Sequence, residues 1–229
     1  MAGAGTQGAA TNRPAVNMQM AMAATVCTVL AIVLIAVAIA TPWYAISTAG
    51  SGFSASSNSG FSGTSETMGN ESHTQTWANY TEEYKAEHNG TAPQLAGVYS
   101  TTMDLLVGGI VFAALGILTG WMAGQGKLKP VVPALVSILA LLLTLGGFGY
   151  FAASHQAAMS ADMGADAPPF DGPWKSFTGT TSQGGATAAW GPAIGYWLAL
   201  GAAILIIVSM VLGIRSMPMA KKPDESRIA

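Results

Sequence analysis

The chain has 229 residues, of which 51% are hydrophobic and only 9% charged, against roughly 25% charged in soluble domains. That deficit excludes an ordinary water-soluble domain and points to lipid. A net charge of -2 without a basic stripe excludes nucleic acid as a partner, and the lone cysteine, Cys27, excludes an intramolecular disulfide and Cys-pair redox chemistry.

Residues 1–19 are small and polar with one charge, Arg13, the composition of a tail. Residues 20–43 then run uncharged from Met20 to Trp43. About 20 apolar residues in a helix cross a hydrocarbon core of about 30 Å, and a helix satisfies every backbone group there. Pro42 ends the helix, and Trp43 and Tyr44 suit the headgroup layer. Ala38-Ile39-Ala40 has the form of a signal-cleavage site, but the apolar run exceeds the 7 to 15 residues of a signal core, so a retained span is expected.

Residues 44–102 form a long polar segment. Its first part, Ser47 to Ser65, is so rich in Ser and Gly that irregular chain is expected. Trp77, Tyr80 and Tyr84 recur at helical spacing, predicting a short amphipathic helix that ends near Gly90. Three glycosylation sequons begin at Asn70, Asn79 and Asn89.

A second span over 103–123, a link over 124–130 and a third span over 131–153 read as an antiparallel hairpin, because so short a link permits nothing else. Thr101-x-x-Asp104 reads as the cap of the second span. Residues 154–191, with Pro168-Pro169, Pro173 and Gly184-Gly185, read as an irregular outer loop. A fourth span over 192–214 and a basic tail over 215–229 complete the chain. The expected fold class is therefore an all-α membrane protein, a four-transmembrane-helix bundle with two extracellular loops, the first longer and partly irregular.

Charge orients the bundle. Arg13, Lys127, Lys129, Arg215, Lys221, Lys222 and Arg227 fall on one side, against Lys85 and Lys175 on the other. By the positive-inside rule both termini are cytoplasmic, and a multi-pass plasma-membrane protein is expected. The outer side carries Glu66, Glu71, Glu82, Glu83, Glu87, Asp104, Asp162, Asp166 and Asp171, an acidic surface.

Without a hydrophobic drive in lipid, helices associate through small residues. Gly116, Gly120 and Gly124 form one such stripe, and Gly191, Gly195, Ala199 and Ala203 another. Packing within the bundle is the first expectation for both, and contact with a second copy or another membrane subunit is the alternative. His155, Met159 and Met163 align at i, i+4 and i+8 if the third helix continues, a soft set suited to Cu(I). Solvated His and filler Met are the plainer account. No phosphate loop, zinc-helix or nucleophile-elbow motif occurs, so neither catalytic residue nor cofactor is expected.

The four-span layout with a longer first outer loop resembles the claudin and peripheral myelin protein superfamily. Pro42-Trp43 is similar to the Pro-x-Trp closing the first claudin span, and Trp190-Gly-Pro-Ala-Ile-Gly-Tyr-Trp197 is similar to the entry of the fourth. The hallmark Trp-x-Gly-Leu-Trp with its two cysteines is absent from residues 44–101. Neither the extracellular strands nor the pore-lining charges of that superfamily are therefore carried over. The expected function is non-enzymatic, a structural, adhesive or assembly role through outer loops and helix faces. The alternatives are an accessory subunit of a larger membrane enzyme or transport complex, and a channel or copper-handling protein.

Overall fold

The computed structural model describes residues 17–164 and 171–216. The element order is α1 (Met18–Ala40), β1 (Tyr44–Gly50), β2 (Phe53–Gly60), β3 (Gly63–Met68), β4 (Glu71–Thr76), α2 (Trp77–Glu87), α3 (Gln94–Gly124), α4 (Val131–Met163), β5 (Gly179–Gln183), β6 (Ala186–Pro192) and α5 (Ile194–Ser216). Helices α1, α3, α4 and α5 are each long and apolar enough to cross a membrane, the layout of a multi-pass membrane protein.

The all-α expectation is wrong. The two longer segments between spans contain strands, and these join in one antiparallel sheet of order β4-β3-β2-β1-β6-β5. The β1–β6 pairing, with Ile46 opposite Trp190 and Thr48 opposite Ala188, unites segments far apart in sequence. Low hydrophobicity had disguised these strands. On one face Tyr44 and Ile46 of β1 alternate with small residues, while Ala45, Ser47, Ala49, Ser54, Ser56, Asn58, Ser65, Thr67, Ser72 and Thr74 fill the other. Two-residue turns join the hairpins, and at Gly184-Gly185 both φ angles are positive, 59 and 81°, which only glycine adopts freely.

The strands stand on one end of the helix bundle. Tyr44, Ser59 and Trp190 at their bases are buried, whereas Phe53 and Met68 near the tips are exposed. Helices α3 and α4 reach that end together. With 31 and 33 residues they are about 46 and 50 Å long, well over the roughly 30 Å of a hydrocarbon core. The extra turns start α3 at Gln94 instead of 103 and extend α4 to Met163 instead of 153. Leu95, Val98, Tyr99, His155 and Ala158 on these turns, and Phe151 just before them, are buried with Trp43 and Tyr44. The predicted short helix is present as α2, its Trp77 ring 4.7 Å from that of Tyr99.

Two helix pairs make the bundle. Ala31, Ile35 and Ala38 of α1 are fully buried, as are Ala199 and Ala202 of α5, and Thr28 Oγ1 and Ser209 Oγ share a 2.6 Å hydrogen bond between these helices. Between α3 and α4, a Cβ on Gly109 would stand 2.6 Å from Thr144 Oγ1, and one on Gly147 3.3 Å from Leu106 and from the Thr102 carbonyl. Close approach in place of hydrophobic drive is what lipid demands.

The two small-residue stripes differ in their surroundings. Gly195, Ala199 and Ala203 are buried in α5, but Gly191 belongs to β6. The first is mostly outside the packing: Gly116 approaches Ser137, while a Cβ on Gly120 or Gly124 meets nothing within 4 Å. At Gly195 an added Cβ would stand 2.5 Å from the Trp43 ring and 2.8 Å from the Ala38 carbonyl. Gly195→Ala is therefore expected to cost about 1–3 kcal/mol by overpacking. Gly120→Ala, in open space on a helix, should gain a few tenths of a kcal/mol up to about 1. Thermal unfolding of both variants in detergent checks the contrast.

Candidate functional site

The densest arrangement of chemistry lies where the sheet meets the bundle. Pro42 stops α1, and Trp43 turns inward and is fully buried. Its indole N–H donates to the Ala38 carbonyl at 2.7 Å, and its ring meets Phe61, Phe151 and Tyr196 edge-on at centroid distances of 5.0, 5.1 and 6.0 Å. The surrounding backbone is tied as closely. Trp43 N–H donates to Ser59, Ala193 N–H to Trp43, and Gly195 N–H to Pro42, all between 2.8 and 2.9 Å. One dipeptide thus joins α1, the sheet and the entry to α5.

Other aromatic tips repeat the device of an amphipathic ring with one polar handle on a carbonyl. Tyr44 O–H donates to Phe177 O at 2.8 Å, Trp77 N–H to Gly60 O at 2.8 Å, Trp190 N–H to Ser176 O at 3.0 Å and Tyr84 O–H to Asp162 O at 3.0 Å. Burial pushes the Tyr44 phenol well above its ordinary range, which keeps it a donor.

Asp162 caps α3. Its carboxylate accepts from Gln94 N–H at 2.7 Å and Leu95 N–H at 2.8 Å, whereas Pro93 at the N-cap offers no side-chain acceptor. This corrects the capping reading of Thr101 and Asp104, since both lie well inside α3, exposed on its surface. The error came from placing the helix start at the onset of hydropathy. A long-range cap of this kind leaves no spacing signal in the sequence.

His155, Met159 and Met163 do share the continuous α4. His155 is fully buried, its ring 4.0 Å from Tyr44 and 4.8 Å from Phe151 between centroids. Neither ring nitrogen has a hydrogen-bond partner among the described residues, and no group of three or more His, Cys, Asp or Glu side chains there is placed to hold a metal. The imidazole packs as a ring among the aromatic side chains of the junction.

Asn70 in the β3–β4 turn, Asn79 in the first turn of α2 and Asn89 just after it are all exposed. Open hollows flank the sheet. One of about 760 Å³ is lined by Ile46, Thr48, Glu66, Met68, Glu71 and His73, with small residues between. Lys85 pairs with Glu82 at 3.2 Å and Lys175 with Asp171 at 3.5 Å, so among the described residues the acidic balance of this end is carried by Glu66, Glu71, Glu83, Glu87, Asp104 and Asp162. At the far end Lys127 sits 5.9 Å over the Trp121 ring. Arg13, Lys221, Lys222, Arg227 and Asp166 lie outside the described residues.

No family model and no curated protein matches the chain.

If His155 is filler, His155→Phe removes two buried nitrogens lacking partners and keeps the ring contacts. That variant is expected to hold or raise the unfolding temperature, while His155→Ala costs about 2–4 kcal/mol through the cavity it opens. A drop for both, together with loss of stoichiometric Cu(I) uptake, would assign the residue to a metal instead. Asp162→Ala should separately cost about 0.5–2 kcal/mol as a lost cap, read by the same melts.

Proposed function

We propose that the protein is a non-enzymatic surface protein of the plasma membrane that presents its sheet outward for structural, adhesive or assembly contacts. One observation carries this reading. The two longer segments between spans contribute strands to a single six-stranded platform, anchored through Trp43 to the ends of α1 and α5. Its exposed area is a field of small hydroxyl side chains with open hollows. Such a surface suits contact with another macromolecule better than enclosure of a small substrate.

The claudin-like resemblance rests on Pro42-Trp43 and on Trp190 to Trp197. The missing cysteine pair is made good by the aromatic side chains bonded to carbonyls at the base of the sheet. Orientation follows the positive-inside reading, with Lys127, Lys129 and Arg215 at the far end from the sheet. The sheet then faces out and the termini face the cytoplasm. The three exposed sequons fit a glycoprotein, and the partners are lipid and further copies or other membrane subunits.

Three measurements test the reading. Cysteines introduced at Ser182 and Gln125, both exposed, should react with an impermeant maleimide from outside intact cells at Ser182 alone; the reverse pattern inverts the topology. Replacing Asn70, Asn79 and Asn89 by Gln singly should each remove one glycosidase-sensitive step in gel mobility. Gentle extraction should yield the chain by itself or as copies of itself, and recovery solely as a stoichiometric hetero-complex would transfer the function to a larger assembly.

A further inference from the structure

We propose that β5 is a docking edge for β5 of a second copy lying in an opposed membrane. The inference rests on the adhesive, sheet-outward reading above and gives it a partner and a register.

Among the described residues the sheet is open, with β4 and β5 as its edges. An open edge offers unpaired N–H and C=O groups, and stable proteins guard such edges with charge, proline or a cover. The β4 edge is guarded. Glu71 is exposed on it, Gln75 is bonded to Glu83 of α2, and the sequon residues Asn70 and Asn79 flank the strand on both sides. In contrast, β5 itself reads Gly-Thr-Thr-Ser-Gln, with no charge, proline or sequon; Asp171, Pro173 and Trp174 share a hollow with its Thr181 and Gln183, and Thr180 and Ser182 are left exposed.

Hydrogen-bond parity fixes what β5 can offer. The Gly184-Gly185 turn makes Gln183 and Ala186 the closing bonded pair. Alternation along an antiparallel ladder then makes Thr181 with Ala188, and Gly179 with Trp190, the next bonded pairs. Thr180 and Ser182 therefore turn their N–H and C=O groups outward. Among the described residues, no backbone hydrogen bond from outside the sheet reaches them.

This outward pattern is complementary to itself. In an antiparallel pair of two β5 strands, Thr180 of one copy bonds to Ser182 of the other, and the two Thr181 residues face each other as the closer non-bonded pair. A slip of one residue presents groups already bonded to β6. A slip toward the C-terminus runs into the Gly184-Gly185 turn, and a slip toward the N-terminus uses Thr178, whose carbonyl already accepts from Ser176 Oγ at 3.1 Å.

The geometry also states where the second copy sits. All strands run between a buried base at the bundle and an exposed tip. Antiparallel pairing of identical strands places a two-fold axis perpendicular to the sheet, so the two bundles point away from each other. Copies in one membrane do not meet this way, whereas copies in facing membranes do. One short edge pair is weak, and many copies per membrane supply the avidity.

The test uses the full chain purified into lipid vesicles, in two populations with different fluorescent labels and epitope tags. Wild-type vesicles should cluster. Thr181→Cys in a Cys27→Ser background should form a disulfide dimer carrying both tags. Thr181→Lys sets like charges together at the centre of the pair, and Ser182→Pro removes an outward donor without touching the ladder to β6. Each should reduce clustering by about tenfold or more, because avidity multiplies the loss over many pairs, while both variants remain monodisperse in detergent. Undiminished clustering in both, or cross-linking only between copies in the same vesicle, overturns the β5 pairing and leaves the adhesive reading intact. Absence of clustering by the wild-type chain overturns both.

Discussion

Everything at the sheet end depends on the burial of one indole. Trp43 has to leave the helix axis at Pro42, find an acceptor for its N–H within the last turn of α1, and be covered by rings from α4, α5 and the β2–β3 turn. Gly195 makes room for it, since any side chain there would meet the ring or the acceptor carbonyl. Because the flanking backbone bonds to Ser59, Ala193 and Gly195, losing that seat would unfasten α1, the sheet and α5 together. An aromatic of this size contributes both a large buried area and a directional bond, which is why one residue can serve three elements.

Small domains outside the membrane commonly rely on disulfides to hold strands that bury little apolar surface. This chain has a single cysteine, half-buried in α1, and solves the problem with rings. Trp43, Tyr44, Trp77, Tyr84 and Trp190 each place a polar tip on a backbone carbonyl, while their bodies fill the space between sheet and helices. The projecting ends of α3 and α4 provide the wall against which these rings pack, and His155 completes it as a flat ring without a hydrogen bond among the described residues.

The spans were legible in the sequence because hydropathy is a property of each segment alone. So was α2, whose aromatic stripe is local. The sheet was not, because its strands owe little to their own apolar content. Ser47 to Ser65 reads as a flexible tract by composition, and what orders it is pairing: β2 and β3 in local hairpins, and β1 with β6, more than a hundred residues away. Traces did exist: Tyr44 and Ile46 alternate with smaller residues, and Gly-rich pairs punctuate the segment at hairpin spacing. The ends of α3 and α4 were missed for a related reason. Leu95, Val98, Tyr99 and Thr102 carry a helical period, but their polar neighbours lower the average that marks a span. Asp162 lay beyond any spacing rule, since its partners are on another helix.

The two central strands are continuous with two spans. Chain leaves α1 directly into β1, and β6 leads directly into α5, with β1 and β6 paired above and α1 and α5 packed below. The pair of helices and the pair of strands therefore form two arms of one stiff lever with its fulcrum at Pro42-Trp43. Bilayer thickness sets the tilt of a spanning helix at modest energetic cost. Any change in the tilt of α1 and α5 would reach the sheet through the three residues between α1 and β1, with no loop to absorb it.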